Sequence, residues 1–224
     1  MRLVFASNNA HKLEEVRAIM PAGIEVLSLR EVGFLQEIDE TGTTLSENSR
    51  IKAETVVEWL KANGEWTKVD GVFADDTGLE IDALDGKPGV YTARWYLMKG
   101  ERMTDEGERT EVKGEKEIFS ANRAKALREL AGKDNRSAQF KTVVTLIRLN
   151  DANDGNDEVI QMEGVVRGWI TTEERGEGGF GYDPIFIPEG YDKTFAELPA
   201  ETKNSISHRA RAMVKLVEYL SSQV

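Results

Sequence analysis

Apolar residues recur with two different periods along this 224-residue chain, and the order of those periods constrains the fold most. Leu3 to Ala6 is a short apolar run that turns polar at Ser7. Leu13, Val16, Ile19 and Met20 then keep helical spacing, so the chain opens as strand, polar loop, helix. A second strand is expected near Ile24 to Leu29. Leu45, Ile51, Val56, Trp59 and Leu60 mark another helix, with Gly64 as its stop. Val72 to Ala74 is a compact apolar run that delivers the chain into Asp75-Asp76-Thr77-Gly78, so two carboxylates are expected at a strand's end. Helical spacing returns with Ala124, Leu127 and Leu130 between Phe119 and Leu130, and with Ala210, Val214, Val217 and Leu220 between Ser207 and Leu220. The apolar runs Phe140 to Leu149 and Val159 to Ile170 flank an Asn/Asp/Gly cluster at Asp154-Gly155 and read as a long hairpin. Ile185 to Ile187 is one more strand. Helices alternate with strands first and strands pair later, which favours an α/β chain with a mixed β-sheet and flanking helices over a bundle or a sandwich. With no clean linker and no internal repeat, residues 1–224 are expected to form a single domain.

Composition narrows the function. Net charge is −11, from 29 Lys plus Arg against 40 Asp plus Glu, which argues against long nucleic acids as partners. No stretch reaches the roughly 18 apolar residues of a membrane helix, and the opening apolar run is too short for a secretory leader. A soluble cytoplasmic protein is expected. Absence of cysteine removes thiolate chemistry, disulfides and zinc ribbons. His11 and His208 are the only histidines, too few for zinc. Lys99 to Glu117 holds twelve charged residues out of nineteen, so it is expected to be an exposed loop without regular structure.

Four segments carry candidate chemistry. Ser7-Asn8-Asn9-Ala10-His11-Lys12 joins strand to helix, where backbone N–H groups and the helix start can cradle a phosphate and Lys12 can supply a counter-charge. Ser7 or Asn9 can equally cap that helix, and the two roles are compatible. The segment is not a Walker A loop, since no Gly-Lys-Ser/Thr is present. Asp75-Asp76, with Asp39-Glu40 and Glu47, supplies hard oxygen ligands suited to Mg²⁺; strand alternation lets only one of Asp75 and Asp76 face a given side. Gly176 to Gly181 matches the spacing of a dinucleotide fingerprint but does not open a helix after an N-terminal strand, so it reads as a flexible loop presenting Phe180 for stacking or for the core. Lys203, His208 and Arg209 fall at the start of the last helix, where the dipole disfavours cations unless an anion or base offsets them.

Taken together, these segments resemble the inosine triphosphate pyrophosphatase family, whose members hydrolyse non-standard purine nucleoside triphosphates. The carriers are Ser7 to Lys12, Glu40 to Thr44 with Glu47-Asn48, Ala74 to Leu79, Gly86 to Arg94, Gly178 to Pro184 and Ser207 to Arg209. The resemblance implies an elongated α/β fold of two lobes around a nucleotide cleft, and a homodimer. It implies that Ser7, Asn8, Asn9 and Lys12 contact the phosphates, that Asp76 ligates Mg²⁺ and accepts a proton, and that Thr77 contacts the nucleotide. A further acidic metal contact is implied within Asp39-Glu40. Phe180, Gly181, Tyr182, Asp183, Lys203, His208 and Arg209 are implied around base and sugar. Two departures stand out: Asn8 where the family commonly has Gly, and Asn48-Ser49 where Asn-Ala is more usual.

The reaction so implied converts a nucleoside triphosphate and water into the monophosphate and pyrophosphate, with ITP, dITP and XTP as substrates. A similarly folded septum-inhibitor family acting on pyrimidine triphosphates is the alternative, to be told apart by UTP preference. A nucleotide-binding module without turnover is a second alternative.

Overall fold

Leu3, Val4 and Phe5 are fully buried, and a four-residue strand of such residues is stable because it is covered on both faces and paired on both edges. In the computed structural model, which describes residues 1–99, 102–103, 114–149 and 157–222, this strand is β1 (Arg2–Phe5). It lies between two parallel neighbours, β2 (Glu25–Ser28) and β3 (Gly71–Ile81). The crossovers are helical: α1 (Ala10–Ile19) joins β1 to β2, and α2 (Leu45–Ala62) lies between β2 and β3. The start of α2 is fixed by a reciprocal capping box, in which Thr44 accepts from the Glu47 N–H and the Glu47 carboxylate accepts from the Thr44 N–H. Its end is followed by Gly64 at φ 70°, as the stop signal predicts.

The chain continues through β4 (Pro88–Gly89), antiparallel to β3, a 3-10 turn at Thr92–Leu97, and a small antiparallel pair, β5 (Met98–Lys99) with β6 (Arg102–Met103). Helix α3 (Glu115–Glu129) follows, then β7 (Ser137–Arg148), β8 (Glu158–Ile170), β9 (Phe186–Pro188), α4 (Ala200–Ile206) and α5 (His208–Ser221). The main sheet has the order β2-β1-β3-β7-β8-β9, with β4 beside β3. Parallel pairs at β1 and antiparallel pairs at β3–β4 and β8–β9 make it the mixed sheet expected. β7 and β8 are sheet neighbours, as the paired apolar runs predict; the Asp154-Gly155 turn lies outside the described residues.

Two expectations are corrected. β3 does not end at Ala74: it runs on through Asp75, Asp76 and Thr77 to Ile81, because those polar side chains find partners that let a buried strand carry them. The charged segment 99–117 is not wholly irregular, since Lys99 pairs with Arg102 in β5–β6 and α3 begins at Glu115; residues 104–113 lie outside the described residues.

The chain divides into two compact units. Unit 1 comprises residues 1–77, 142–165 and 207–224, and unit 2 comprises 78–141 and 166–206. Alternation in unit 1 sends Leu3, Phe5 and Phe73 into one core with Val16 of α1 and Ala212, Met213 and Leu216 of α5. Val4, Ala6, Val72 and Ala74 pack on the other face with Ala53, Val56, Val57 and Leu60 of α2. Unit 2 is built on Phe140, Phe186 and Phe195 with Ala126 of α3 and Leu130 at the helix's C-cap. There α3 holds the 3-10 turn by its backbone: Asn122 accepts from the Tyr96 N–H at 2.8 Å and donates to the Ala93 carbonyl at 3.0 Å. Among the described residues no helix is long and apolar enough to cross a membrane.

Candidate active site

The polar loop after β1 is a helix cap. Asn9 Oδ1 accepts from the Lys12 N–H at 3.0 Å, and Ser7 Oγ accepts from the Asn9 N–H at 3.2 Å, while Asn8 between them is exposed. The Ala6 N–H bonds the Phe73 carbonyl at 2.8 Å and the chain then turns, with Ser7 N–H on Phe5 O. β3 continues where β1 has stopped, so Asp75 and Asp76 lie just past the carboxyl end of β1, the end at which parallel sheets leave room for ligands.

Alternation splits these two aspartates between the faces of the sheet, and each meets its own cations. Asp75 is 1% exposed. Its carboxylate accepts from Lys12 Nζ at 2.9 Å and from Arg209 Nε at 3.1 Å. Arg209, the second residue of α5, also pairs with Glu15 of α1. Burial alone raises the Asp75 carboxyl, but Lys12 and Arg209 overcome it and hold the group well below the usual carboxylate range. Thr77, two residues on and on the same face, shares a 2.8 Å hydrogen bond with the buried Thr142 hydroxyl.

Asp76 turns to α2 instead. Lys52 Nζ donates to Asp76 Oδ1 at 2.8 Å and to Glu40 Oε1 at 3.0 Å. Burial pushes the Asp76 carboxyl above its ordinary value, with Lys52 only partly offsetting it. Lys52 is itself buried, yet Asp76, Asp75 and Glu40 outweigh that burial and keep its ammonium protonated. Sequence reasoning missed both Lys52 and Glu15. For Lys52 a signal existed: it occupies the buried stripe of α2 among Ser49, Ala53 and Val56, where an unpaired lysine is costly.

The acidic residues are not equivalent as metal ligands. Glu47 is consumed by the cap of α2, accepting from Thr43 N–H at 2.7 Å, Thr43 Oγ1 at 2.8 Å and Thr44 N–H at 3.0 Å. Asp39 is exposed, whereas Glu40 converges with Asp76 on a single cation, the Lys52 ammonium. Among the described residues no three of His, Cys, Asp and Glu converge into an all-protein metal cage. Two carboxylates aimed at one positive centre are the donor set Mg²⁺ uses when phosphate oxygens and water complete its shell, so Glu40 and Asp76 fit that ion.

A second cluster lies within unit 2. Asp183 Oδ2 accepts from Lys203 Nζ at 2.7 Å and from the Phe180 N–H at 2.7 Å, and Lys203 Nζ stands 4.6 Å above the half-buried Phe180 ring. Lys203 therefore is not at the start of the last helix, as expected: it sits in α4, which Ser207 separates from α5 by capping the Ala210 N–H at 3.1 Å. His208 and Arg209 open α5 in unit 1, both buried. The glycine loop runs close against neighbouring atoms at three of its glycines. Gly176 and Gly178 press on the Ala196 backbone, and a Cβ on Gly179, at φ 71°, would collide with the Asp183 carboxylate. The Gly181 carbonyl accepts from Arg123 at 2.9 Å, and the buried Tyr182 hydroxyl donates to the Thr92 carbonyl at 3.1 Å.

A parallel strand pair followed by a helix-capping loop, with Lys12 on Asp75 and Lys52 on Asp76, is the polar cluster that this α/β fold presents. The pattern of the Ham1 family matches residues 3–219, and the chain belongs to that family. It is 40% identical over 222 residues to a dITP/XTP pyrophosphatase of Flavobacterium johnsoniae, covering 99% of both chains. It is 42% identical over 223 residues to one of Aquifex aeolicus, covering 99% of this chain and 98% of the relative. The solved Ham1 protein of Staphylococcus aureus superposes with a TM-score of 0.77 at 33% identity over the whole of both chains.

Proposed function

We propose that this chain hydrolyses the non-canonical purine nucleoside triphosphates ITP, dITP and XTP to the monophosphate and pyrophosphate, clearing them from the nucleotide pool. The names carried by its full-length relatives support the reaction. The observation that carries the reading in this chain is the convergence of Asp76 and Glu40 on Lys52 beside the Lys12–Asp75 pair, just past the end of β1.

In this reading the Ser7-Asn8-Asn9 loop and the Lys12 ammonium take the phosphates, and Lys52 adds a second cation. Asp76 orients the attacking water and accepts its proton as the water oxygen bonds the α-phosphorus. The bond from that phosphorus to the bridging oxygen breaks, and the electron pair leaves with pyrophosphate. A carboxyl lifted above its usual range by burial suits a general base better than an ordinary aspartate does. Mg²⁺, assigned to Glu40 and Asp76 and not to the exposed Asp39, supplies neutralisation of phosphate charge when bound. Asp75 holds Lys12 and Arg209 in place, and Thr77 contacts the nucleotide.

Phe180, Gly181, Tyr182, Asp183 and Lys203 are assigned to base and sugar together with His208 and Arg209. A 6-oxo purine presents an acceptor where adenine presents a donor, so a fixed N–H donor at that position rejects ATP. GTP must be rejected near position 2, by a donor or a wall that its amino group meets. By the same resemblance the protein acts as a cytoplasmic homodimer, which light scattering on the purified chain tests.

The deciding measurement is pyrophosphate and monophosphate release from ITP, XTP, dITP, GTP, ATP and UTP, each with Mg²⁺ and with chelator. Metal-dependent release from ITP, dITP and XTP with little from ATP and GTP is expected. UTP preference would move the chain to the pyrimidine reading, and binding without release would make it a non-catalytic module.

A further inference from the structure

Helix α2 meets β3 through two polar side chains on one helical face. Lys52 reaches Asp76. One turn earlier Ser49, fully buried, places its Oγ 3.0 Å from the Ala74 carbonyl oxygen and 2.8 Å from Thr145 Oγ1 on β7. Thr145, also fully buried, lies 2.9 Å from Gln161 Nε2 on β8, and Gln161 is held in turn by Ser46 of α2, whose carbonyl accepts at 2.9 Å and whose hydroxyl donates to Oε1 at 2.7 Å.

Proton counting gives this chain of bonds a direction. Each hydroxyl has one proton, an amide N–H only donates and a carbonyl only accepts. All three contacts hold at once when Gln161 donates to Thr145, Thr145 to Ser49, and Ser49 to Ala74. The relay ends on the carbonyl half of the Ala74–Asp75 peptide group, immediately before the two aspartates whose side chains depart to opposite faces. It therefore acts at the point of β3 where a small change in backbone pitch moves Asp76 relative to Lys52 and Glu40.

We infer that Ser49, driven by Thr145 and Gln161, is a positioning residue that fixes the register of α2 on β3 and so the place of Asp76 in the reaction. This rests on the proposed pyrophosphatase reading. Loss of the tether is expected to slow the reaction without abolishing it.

The test compares Ser49→Ala, Thr145→Val and Thr145→Ser. Valine matches threonine in shape and removes only the hydroxyl; serine keeps the hydroxyl. Ser49→Ala and Thr145→Val are each expected to lower kcat for ITP about fivefold, the factor one net buried hydrogen bond represents. KM should stay within about twofold, since the substrate contacts are untouched. Thr145→Ser should keep the parental kcat. On the metal-free protein, amide exchange at Asp75, Asp76 and Thr77 should speed up in the first two variants and not in the third. Parental kcat in folded Ser49→Ala and Thr145→Val overturns the inference, as does an equal loss in Thr145→Val and Thr145→Ser. If the parent chain releases no pyrophosphate from any triphosphate, the functional reading fails on its own. The exchange comparison then still decides the tether: unchanged exchange in both hydroxyl-less variants overturns it.

Discussion

Asp75 and Asp76 are neighbours in the chain but belong to different lysines: Lys12 lies 2.9 Å from the first and Lys52 2.8 Å from the second, across the two faces of β3. In the proposed reaction this division separates structural from chemical duty. Asp75 is saturated by Lys12 and Arg209, so it has little left to offer a water molecule. Asp76 shares one lysine with Glu40 and is pushed up by burial.

Asp76→Asn keeps the size of the side chain and removes both its charge and its proton affinity. Hydrolysis of ITP should fall by about 10²–10⁴, the contribution of one positioned general base. Folding should suffer less than on loss of Asp75, because Glu40 still pairs with Lys52 and the amide escapes the penalty that a raised carboxyl carries once it ionises. Steady-state kinetics with thermal unfolding checks both. Parental turnover would remove Asp76 from the chemistry.

Asp75→Asn should act the other way, on stability. It leaves Lys12 and Arg209 buried without their shared counter-charge, a break of the kind that costs about 3–5 kcal/mol. The Asp75 carboxyl is held below its unfolded value, so its contribution is fully present above the unfolded pKa of ~3.9 and is lost as pH falls below that, through the folded value. Urea unfolding should show a constant gap between parent and variant near neutrality that closes in strong acid. A gap that widens on acidification would contradict the assignment.

Sequence alone carried the helices well. The apolar stripes of α1 and α2 predict their spans to within two or three residues. β3 was truncated because Asp75, Asp76 and Thr77 look like turn residues to any reading based on apolar period, and only their partners, Lys12, Lys52 and Thr142, show why a strand can bury them. The same blindness hid Lys52, which satisfies its charge with residues 12 and 24 positions away in the chain. Lys203 was joined to His208 because nothing between them breaks a helix in composition; the break is made by the Ser207 side chain turning to cap α5.

Lys52→Met tests whether Asp76 governs the acidic limb of the reaction. Lys52 is the strongest charge holding the Asp76 carboxyl down against burial, so removing it raises that group further. Because the base must be ionised, kcat/KM should rise with pH through a limb that moves to higher pH in the variant. The maximum should drop as well, since a phosphate contact is lost. A limb that stays in place while the maximum drops would assign the titration to another group.

Phe180→Ala separates stacking from packing. The ring is half-buried, carries Lys203 Nζ 4.6 Å above its centroid and lies 6.2 Å from the Phe119 ring. If it stacks on the purine, its loss should weaken nucleotide binding by about 1–3 kcal/mol, read as a higher KM for ITP with kcat less affected. Lys203 remains bonded to Asp183 at 2.7 Å, so the variant should keep its fold, which circular dichroism and thermal unfolding verify. A folded variant with parental KM and a lowered Tm would place the ring in the unit 2 core and leave the base to be held by the backbone and the cations alone.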